Sequence, residues 1–170
     1  HFRGVATVVM KLLQIVQPHR AYFGRKDAQQ AQLIGQMARD LNLDSEIVVC
    51  PIVRERDGLA LSSRNVYLNP EERKAATVLY RALEASKNEL ARGIRDALQV
   101  QTVLRRKLES EPLASVDYAE IVDAESFEPV RRVAKACYLF LAVFIGKTRL
   151  IDNLYVEPES PGSDELMFHL

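Results

Sequence analysis

The sequence is poor in the features that would place it in several broad classes. It has only two cysteines, Cys50 and Cys137. They lie far apart, each inside an apolar run, which argues against a disulfide framework or a cysteine metal clip and for two buried free thiols in a reducing compartment. Net charge is missing too: 23 basic and 23 acidic side chains cancel. That removes the uniform basic field of a general nucleic-acid binder, so no nucleic-acid partner is expected and any anion site must be local. No apolar run approaches the roughly 20 residues of a membrane span, so no membrane partner is expected either. The opening His1-Phe2-Arg3-Gly4 has no signal-peptide pattern, and the expected location is cytoplasmic. The three histidines, His1, His19 and His169, share neither a helix face nor a ligand spacing, so no protein-built metal site is expected. An initiator methionine is also missing while a helical pattern starts almost at once, which suggests a chain cut inside a domain.

What is present is ample for folding. The 170 residues are 48% apolar, enough for a packed core. Val5, Val8, Val9, Leu12, Leu13 and Val16 fall on one stripe of a helix that ends before Pro18. Ala21-Tyr22-Phe23 follows as a short strand apolar on both faces, with Tyr22 and Phe23 as core candidates. A second helix carries Ile34, Met37, Ala38 and Leu41 inward, and Ile47-Val48-Val49-Cys50 forms a second strand closed by Pro51. Helix, strand, helix, strand implies parallel pairing.

A strong helix start stands at Asn69-Pro70-Glu71-Glu72: a cap, proline at the first helical position and acids in the first turn. A domain boundary is expected just before it. One long helix to about Arg92 and a second one carrying Val100, Val103, Leu104 and Leu108 make a helical hairpin broken at Gly93. Val116 to Val122, Ala136 to Ile145 and Thr148 to Val156 read as antiparallel strands, the last two joined by a Gly146-Lys147 turn. The fold class expected is α/β, with helices on a parallel sheet over residues 1–67. A small α+β domain with antiparallel strands follows over 68–157, and 158–170 form a mobile tail.

Two polar segments interrupt this plan. Phe23-Gly24-Arg25-Lys26-Asp27-Ala28-Gln29-Gln30 follows the first strand, and Asp57-Gly58-Leu59-Ala60-Leu61-Ser62-Ser63-Arg64-Asn65 lies in the long loop after the second. Ligands of open α/β sheets bind beyond the carboxyl ends of the strands, and long ordered loops are usually functional. Lys26 reads either as a polyphosphate ligand at a helix start or as a solvated surface lysine. Asp27 and Gln30 fit the Asp-x-x-Gln pattern of a capping box; the alternative is a ribose contact for Asp27 and a small polar substrate for Gln30. Gln29 points away by helical spacing and is expected to be exposed. Ser62, Ser63 and Arg64 are either a donor-rich anion ligand or an ordinary polar turn, with Leu59, Ala60 and Leu61 expected to tether the run.

Taken together with His1-Phe2-Arg3-Gly4-Val5 and Thr148-Arg149-Leu150-Ile151-Asp152-Asn153, these segments resemble the pantothenate synthetase (pantoate-beta-alanine ligase) family of the nucleotidylyltransferase superfamily, in order and spacing up to about Val156. The resemblance implies a partial Rossmann-like nucleotidylyltransferase domain over residues 1–67 and a two-step ligation of pantoate and β-alanine driven by ATP, with magnesium as helper; a homodimer is the expected assembly. It implies that Gly24, Arg25, Lys26 and Asp27 hold ATP, with Lys26 on the phosphates and Asp27 on the ribose. Val53 would meet the adenine through its backbone, and Leu61, Ser62, Ser63 and Arg64 would close over the triphosphate. Lys26, Ser62, Ser63 and Arg64 are the implied catalytic groups and Gln30 the implied pantoate ligand. The family's His-x-Gly-His element is absent from this sequence, so the chain alone is expected to be inactive, and Arg25 stands where the family commonly has glutamate. The rival expectations are a non-catalytic dimerising module and another adenylyl transferase of the superfamily.

Overall fold

The computed structural model describes residues 2–160, 163 and 165–170, and the chain divides into two compact units, His1–Ile52 and Val53–Leu170. In the first, helix α1 (Phe2–Val16) leads to strand β1 (Arg20–Gly24), a one-turn 3-10 helix (Arg25–Asp27), helix α2 (Ala28–Asp40) and strand β2 (Glu46–Cys50). The strands are parallel, in register from Arg20 opposite Glu46 to Gly24 opposite Cys50, as the alternation of helix and strand required. Helix α2 packs on both strands and α1 packs on α2, with Leu13, Ala28, Ala31, Ile34 and Ala38 buried.

The cover of this unit is less complete than the sequence suggested. On α1 only Leu13 is fully buried, while Val8, Leu12, Ile15 and Val16 are exposed. Tyr22 is 63% exposed and Val49 is also open, so the strands are covered on one face, not on two. With a single helix laid on two strands, alternate side chains of each strand face outward.

The second unit opens with the loop from Val53, which contains a short 3-10 helix (Ser63–Tyr67). Helices α3 (Pro70–Ala75), α4 (Val78–Ala91) and α5 (Ala97–Glu109) follow, then the antiparallel sheet β3 (Ala114–Asp123), β4 (Cys137–Ile145), β5 (Thr148–Pro158) and β6 (Leu166–His169), in that spatial order. Asn69 caps α3 by accepting from the N–H groups of Glu71 and Glu72, and Glu72 returns a bond to the Asn69 N–H. The expected long helix is two helices, because the chain turns at Ala76 and Thr77. Ala75, Ala76, Val78 and Leu79 are all buried there, so packing bends a stretch that carries no glycine or proline. Inward residues of the sheet, including Leu139, Leu141, Val143, Leu150 and Leu154, meet Leu79, Leu83, Leu104 and Leu108 of the helices in one core.

Two expectations about organisation change. The division falls at Ile52/Val53 and not before Asn69, because the loop is tied to the second unit: Arg54 pairs with Asp152 on β5, and Glu55 and Asp57 pair with Arg73 on α3. Nor is the end of the chain a mobile tail throughout. Leu166–His169 pairs with Tyr155–Pro158, and Leu166, Phe168 and Leu170 pack against the core. Pro161, Gly162 and Asp164 lie outside the described residues, as does His1. Among the described residues no helix is long and apolar enough to cross a membrane.

Candidate nucleotide site

The first polar segment begins where β1 ends. Gly24 and Cys50 are opposite one another in the parallel pair, so both strands deliver their carboxyl ends to the same edge, the edge at which α/β sheets bind ligands. Gly24 has an ordinary extended backbone, with φ −76° and ψ 134°, so no turn demands a glycine. A Cβ placed there would meet nothing within 4 Å, and the space in front of this backbone is open. The chain tightens into one 3-10 turn, placing Arg25 and Lys26 half-buried ahead of the first turn of α2. Unpaired N–H groups at such a helix start favour an anion.

The capping box does not form. Asp27 sits at φ −98° and ψ 56° and its side chain makes no capping bond; the 3-10 turn denies it the extended backbone that lets a capping side chain fold back. Asp27 is exposed, Gln30 is half-buried and Gln29 is exposed as its spacing requires.

The second segment is a small hairpin followed by a turn of helix. Arg54 and Ala60 form an antiparallel bridge, the Glu55 N–H donates to the Leu59 carbonyl at 2.8 Å, and the Leu61 N–H donates to the Val53 carbonyl at 2.9 Å. Its tip is Asp57-Gly58, with Gly58 at φ +91°, a conformation glycine adopts without cost. Leu59 and Ala60 are buried, as a tether should be, but Leu61 and Val53 are exposed. Ser62 then caps the 3-10 turn, its Oγ accepting from the Arg64 N–H at 3.2 Å. Ser63 and Arg64 are exposed, and Arg64 is steadied by an Nη1 bond of 3.3 Å to the Arg149 carbonyl.

Several residues that hold this hairpin were not singled out in the sequence. Arg73 bonds Glu55 and Asp57 at 2.7 and 2.8 Å. The Arg73 guanidinium holds the Asp57 carboxyl below the usual carboxylate range, and Asp57, with Glu55, raises Arg73. Arg54 forks onto Asp152 and lies over the Tyr80 ring. A signal for Asp152 existed: it occupies an inward position between Leu150 and Leu154 on an otherwise apolar stripe. Among the described residues no group of three or more His, Cys, Asp or Glu side chains could hold a metal ion.

Comparison with known proteins gives this geometry its context. The family model described as pantoate-beta-alanine ligase matches residues 1–155. The chain belongs to the pantoate-beta-alanine ligase family. Pantothenate synthetases of Caldicellulosiruptor bescii and of Roseiflexus sp. are 55% and 57% identical to it over 157 residues. Each alignment covers 92% of this chain and 56% of the relative, so the chain spans a little over half the length of these curated relatives. The crystal structure of pantothenate synthetase from Thermus thermophilus superposes with a TM-score of 0.86 at 46% identity, covering 90% of this chain and 55% of that one. A pantoate-beta-alanine ligase from Francisella tularensis, solved in complex with beta-gamma ATP and beta-alanine, gives 0.63 at 33% identity, covering 90% and 49%. The ligase family's nucleotidylyltransferase-type fold, a parallel sheet with helices and an antiparallel sheet, is the one found here.

Proposed function

We propose that this chain carries part of the ATP and pantoate sites of a pantoate-beta-alanine ligase. The observation that carries the proposal is the family match across residues 1–155, which includes both polar segments in full. In the reaction, a carboxylate oxygen of pantoate attacks the α-phosphorus of ATP and pyrophosphate leaves. The amine of β-alanine then attacks the acyl carbon of the pantoyl adenylate; AMP leaves and the amine gives up a proton.

The open backbone at Gly24, followed by Arg25 and Lys26 and the start of α2, supports a role for this segment on the phosphates, with Lys26 as a flexible point charge. Asp27, free of capping duty, is available to the ribose, and half-buried Gln30 to pantoate. On the other segment, the Val53 backbone serves the adenine, while Leu61, Ser62, Ser63 and Arg64 close on the triphosphate, Arg64 offering a planar fork for phosphate oxygens. Rate enhancement of this kind comes from alignment of the reacting groups and from neutralising charge on the departing pyrophosphate. Magnesium bound to the nucleotide would supply further charge neutralisation beside Lys26 and Arg64. The site of action is the cytoplasm.

Because the family's His-x-Gly-His element is not among these 170 residues, the chain alone is expected not to turn over. Titration with ATP and magnesium should show one saturable site per chain. Mixing with the amino-terminal portion of a full-length relative should restore pantothenate formation from pantoate, β-alanine and ATP. No ATP binding and no product after complementation would overturn the proposal; product other than pantothenate would point to another adenylyl transferase. A second reading, an assembly module that self-associates as a homodimer, is favoured by the exposed Val8, Leu12, Ile15 and Val16 of α1. Light scattering combined with the same titration separates the two.

A further inference from the structure

Arg54 and Asp152 make the most buried ion pair among the described residues. Arg54 donates from Nη1 to Asp152 Oδ2 at 2.7 Å and from Nη2 to Asp152 Oδ1 at 2.9 Å, and its Nη1 also reaches the Gly58 carbonyl at 3.0 Å. The Arg54 side chain is 12% exposed and that of Asp152 1%. Asp152 Oδ1 further accepts from the Asn153 N–H at 2.8 Å, and the guanidinium lies 5.1 Å from the centroid of the Tyr80 ring.

For stability alone this is a poor choice. Taking two charges out of water is costly, and an apolar pair of similar volume commonly does as well or better. Arg54 adds a further cost, since its Nε is buried without a hydrogen-bond partner. Features that break a local rule in this way tend to be explained by function.

The location supplies the function. Arg54 lies on the incoming stem of the Val53–Leu61 hairpin and is bridged to Ala60 on the outgoing stem, which leads directly into Ser62. Its three bonds fix the tip, through the Gly58 carbonyl, and the stem, through β5. Arg149, whose carbonyl takes the Arg64 Nη1 bond, is on β5 as well. Both ends of the Arg54–Arg64 segment are therefore referenced to one rigid strand, and the charged fork sets the distance between them. We propose that Arg54 and Asp152 are positioning residues that hold Ser62, Ser63 and Arg64 in the shape that receives the nucleotide phosphates, at the expense of stability. This deepens the function proposed above and rests on it for the identity of the ligand.

The test compares Arg54→Met, Asp152→Leu and the double variant with the unmodified chain. The readouts are the thermal midpoint, amide hydrogen exchange over residues 58–65, and titration with trinitrophenyl-ATP and magnesium. Each single variant strands a buried charge and should lower the midpoint and speed exchange over 58–65. The double variant should recover the midpoint but neither the protection of 58–65 nor the affinity, which stays weaker by roughly tenfold, the scale of one charge-assisted contact. Arg54→Lys, which keeps the charge and loses the fork, should likewise weaken binding.

Recovery of midpoint, protection and affinity together in the double variant would make the pair merely structural and overturn the proposal. So would single variants with unchanged exchange over 58–65. Failure to bind nucleotide both by the unmodified chain and after complementation with the amino-terminal portion would instead overturn the ATP assignment, while the exchange data decide the anchoring by themselves.

Discussion

Gly58 lies directly beneath the ring of Tyr80: a Cβ on Gly58 would stand 2.1 Å from Cδ1 and 2.4 Å from Cγ of that ring. The hairpin tip is thereby pressed onto α4, and Gly58 also has a φ of +91°. Gly58→Ala introduces both a steric overlap and a disfavoured backbone. It is expected to lower stability by about 2–4 kcal/mol, read as a shift in the urea midpoint without a change in slope. Tyr80→Ala in the same background should recover part of the loss, because the overlap is with that ring; absence of coupling would refute the contact.

The capping box at Asn69 gives a smaller, local prediction. Asn69 Oδ1 accepts two backbone N–H bonds, at 3.0 and 2.9 Å, and Glu72 Oε2 takes the Asn69 N–H at 3.0 Å. Asn69→Ala should cost about 1 kcal/mol, and Asn69→Asp should be nearly neutral. Chemical denaturation followed by circular dichroism measures both.

Acid should loosen the hairpin through Asp57. Hydrogen bonding to Arg73 is the largest cause of its lowered pKa, so the folded value lies below the unfolded value of about 3.9. Ionised Asp57 therefore contributes stability above that value, and the contribution is lost as pH falls through the folded pKa. Side-chain exposure of 45% keeps the effect modest and salt-sensitive. Wild type should lose stability below about pH 4 more steeply than Asp57→Asn, a difference visible in thermal midpoints and reduced in high salt.

How much of this was legible in the sequence depended on whether a signal was local. The β-branched and apolar runs gave β1, β2, β4 and β5, and Asn69-Pro70 marked the start of α3 correctly. The turn at Ala76 and Thr77 had no local sign, because it follows from packing of Ala76 and Val78 into the core. The stripe on α1 correctly indicated a helix, but periodicity says nothing about what covers a face, and Val8 and Leu12 are open. Asp27-x-x-Gln30 looked like a cap and is not one, since the preceding 3-10 turn sets the Asp27 backbone. Leu166 and Phe168 alternate like a strand, but the run is short and follows Ser160-Pro161-Gly162, which hid its pairing with β5. In the candidate site, the residues offered to a ligand could be read from composition. The anchors Arg54 and Arg73 could not, and Asp152 showed only as a charge on the apolar stripe of β5 with no partner in view, because an ion pair between residues 98 positions apart in sequence exists only once the chain is folded.

The two thiols should differ sharply in reactivity. Cys137 starts β4 and is buried, and burial, aided by the Asp123 charge, pushes its pKa up to about 11. At pH 8 only about one molecule in a thousand carries the Cys137 thiolate, the nucleophilic form, and the strand shields even that. Cys50 ends β2 and is half-buried. Titration of the native chain with a disulfide reagent at pH 8 should therefore label one thiol promptly, and mass spectrometry should place it at Cys50. Cys137 should react only as fast as the second unit opens, so that urea below the unfolding midpoint accelerates it and leaves the Cys50 rate nearly unchanged. Prompt labelling of both thiols without denaturant would show that β4 is not held in the core as described.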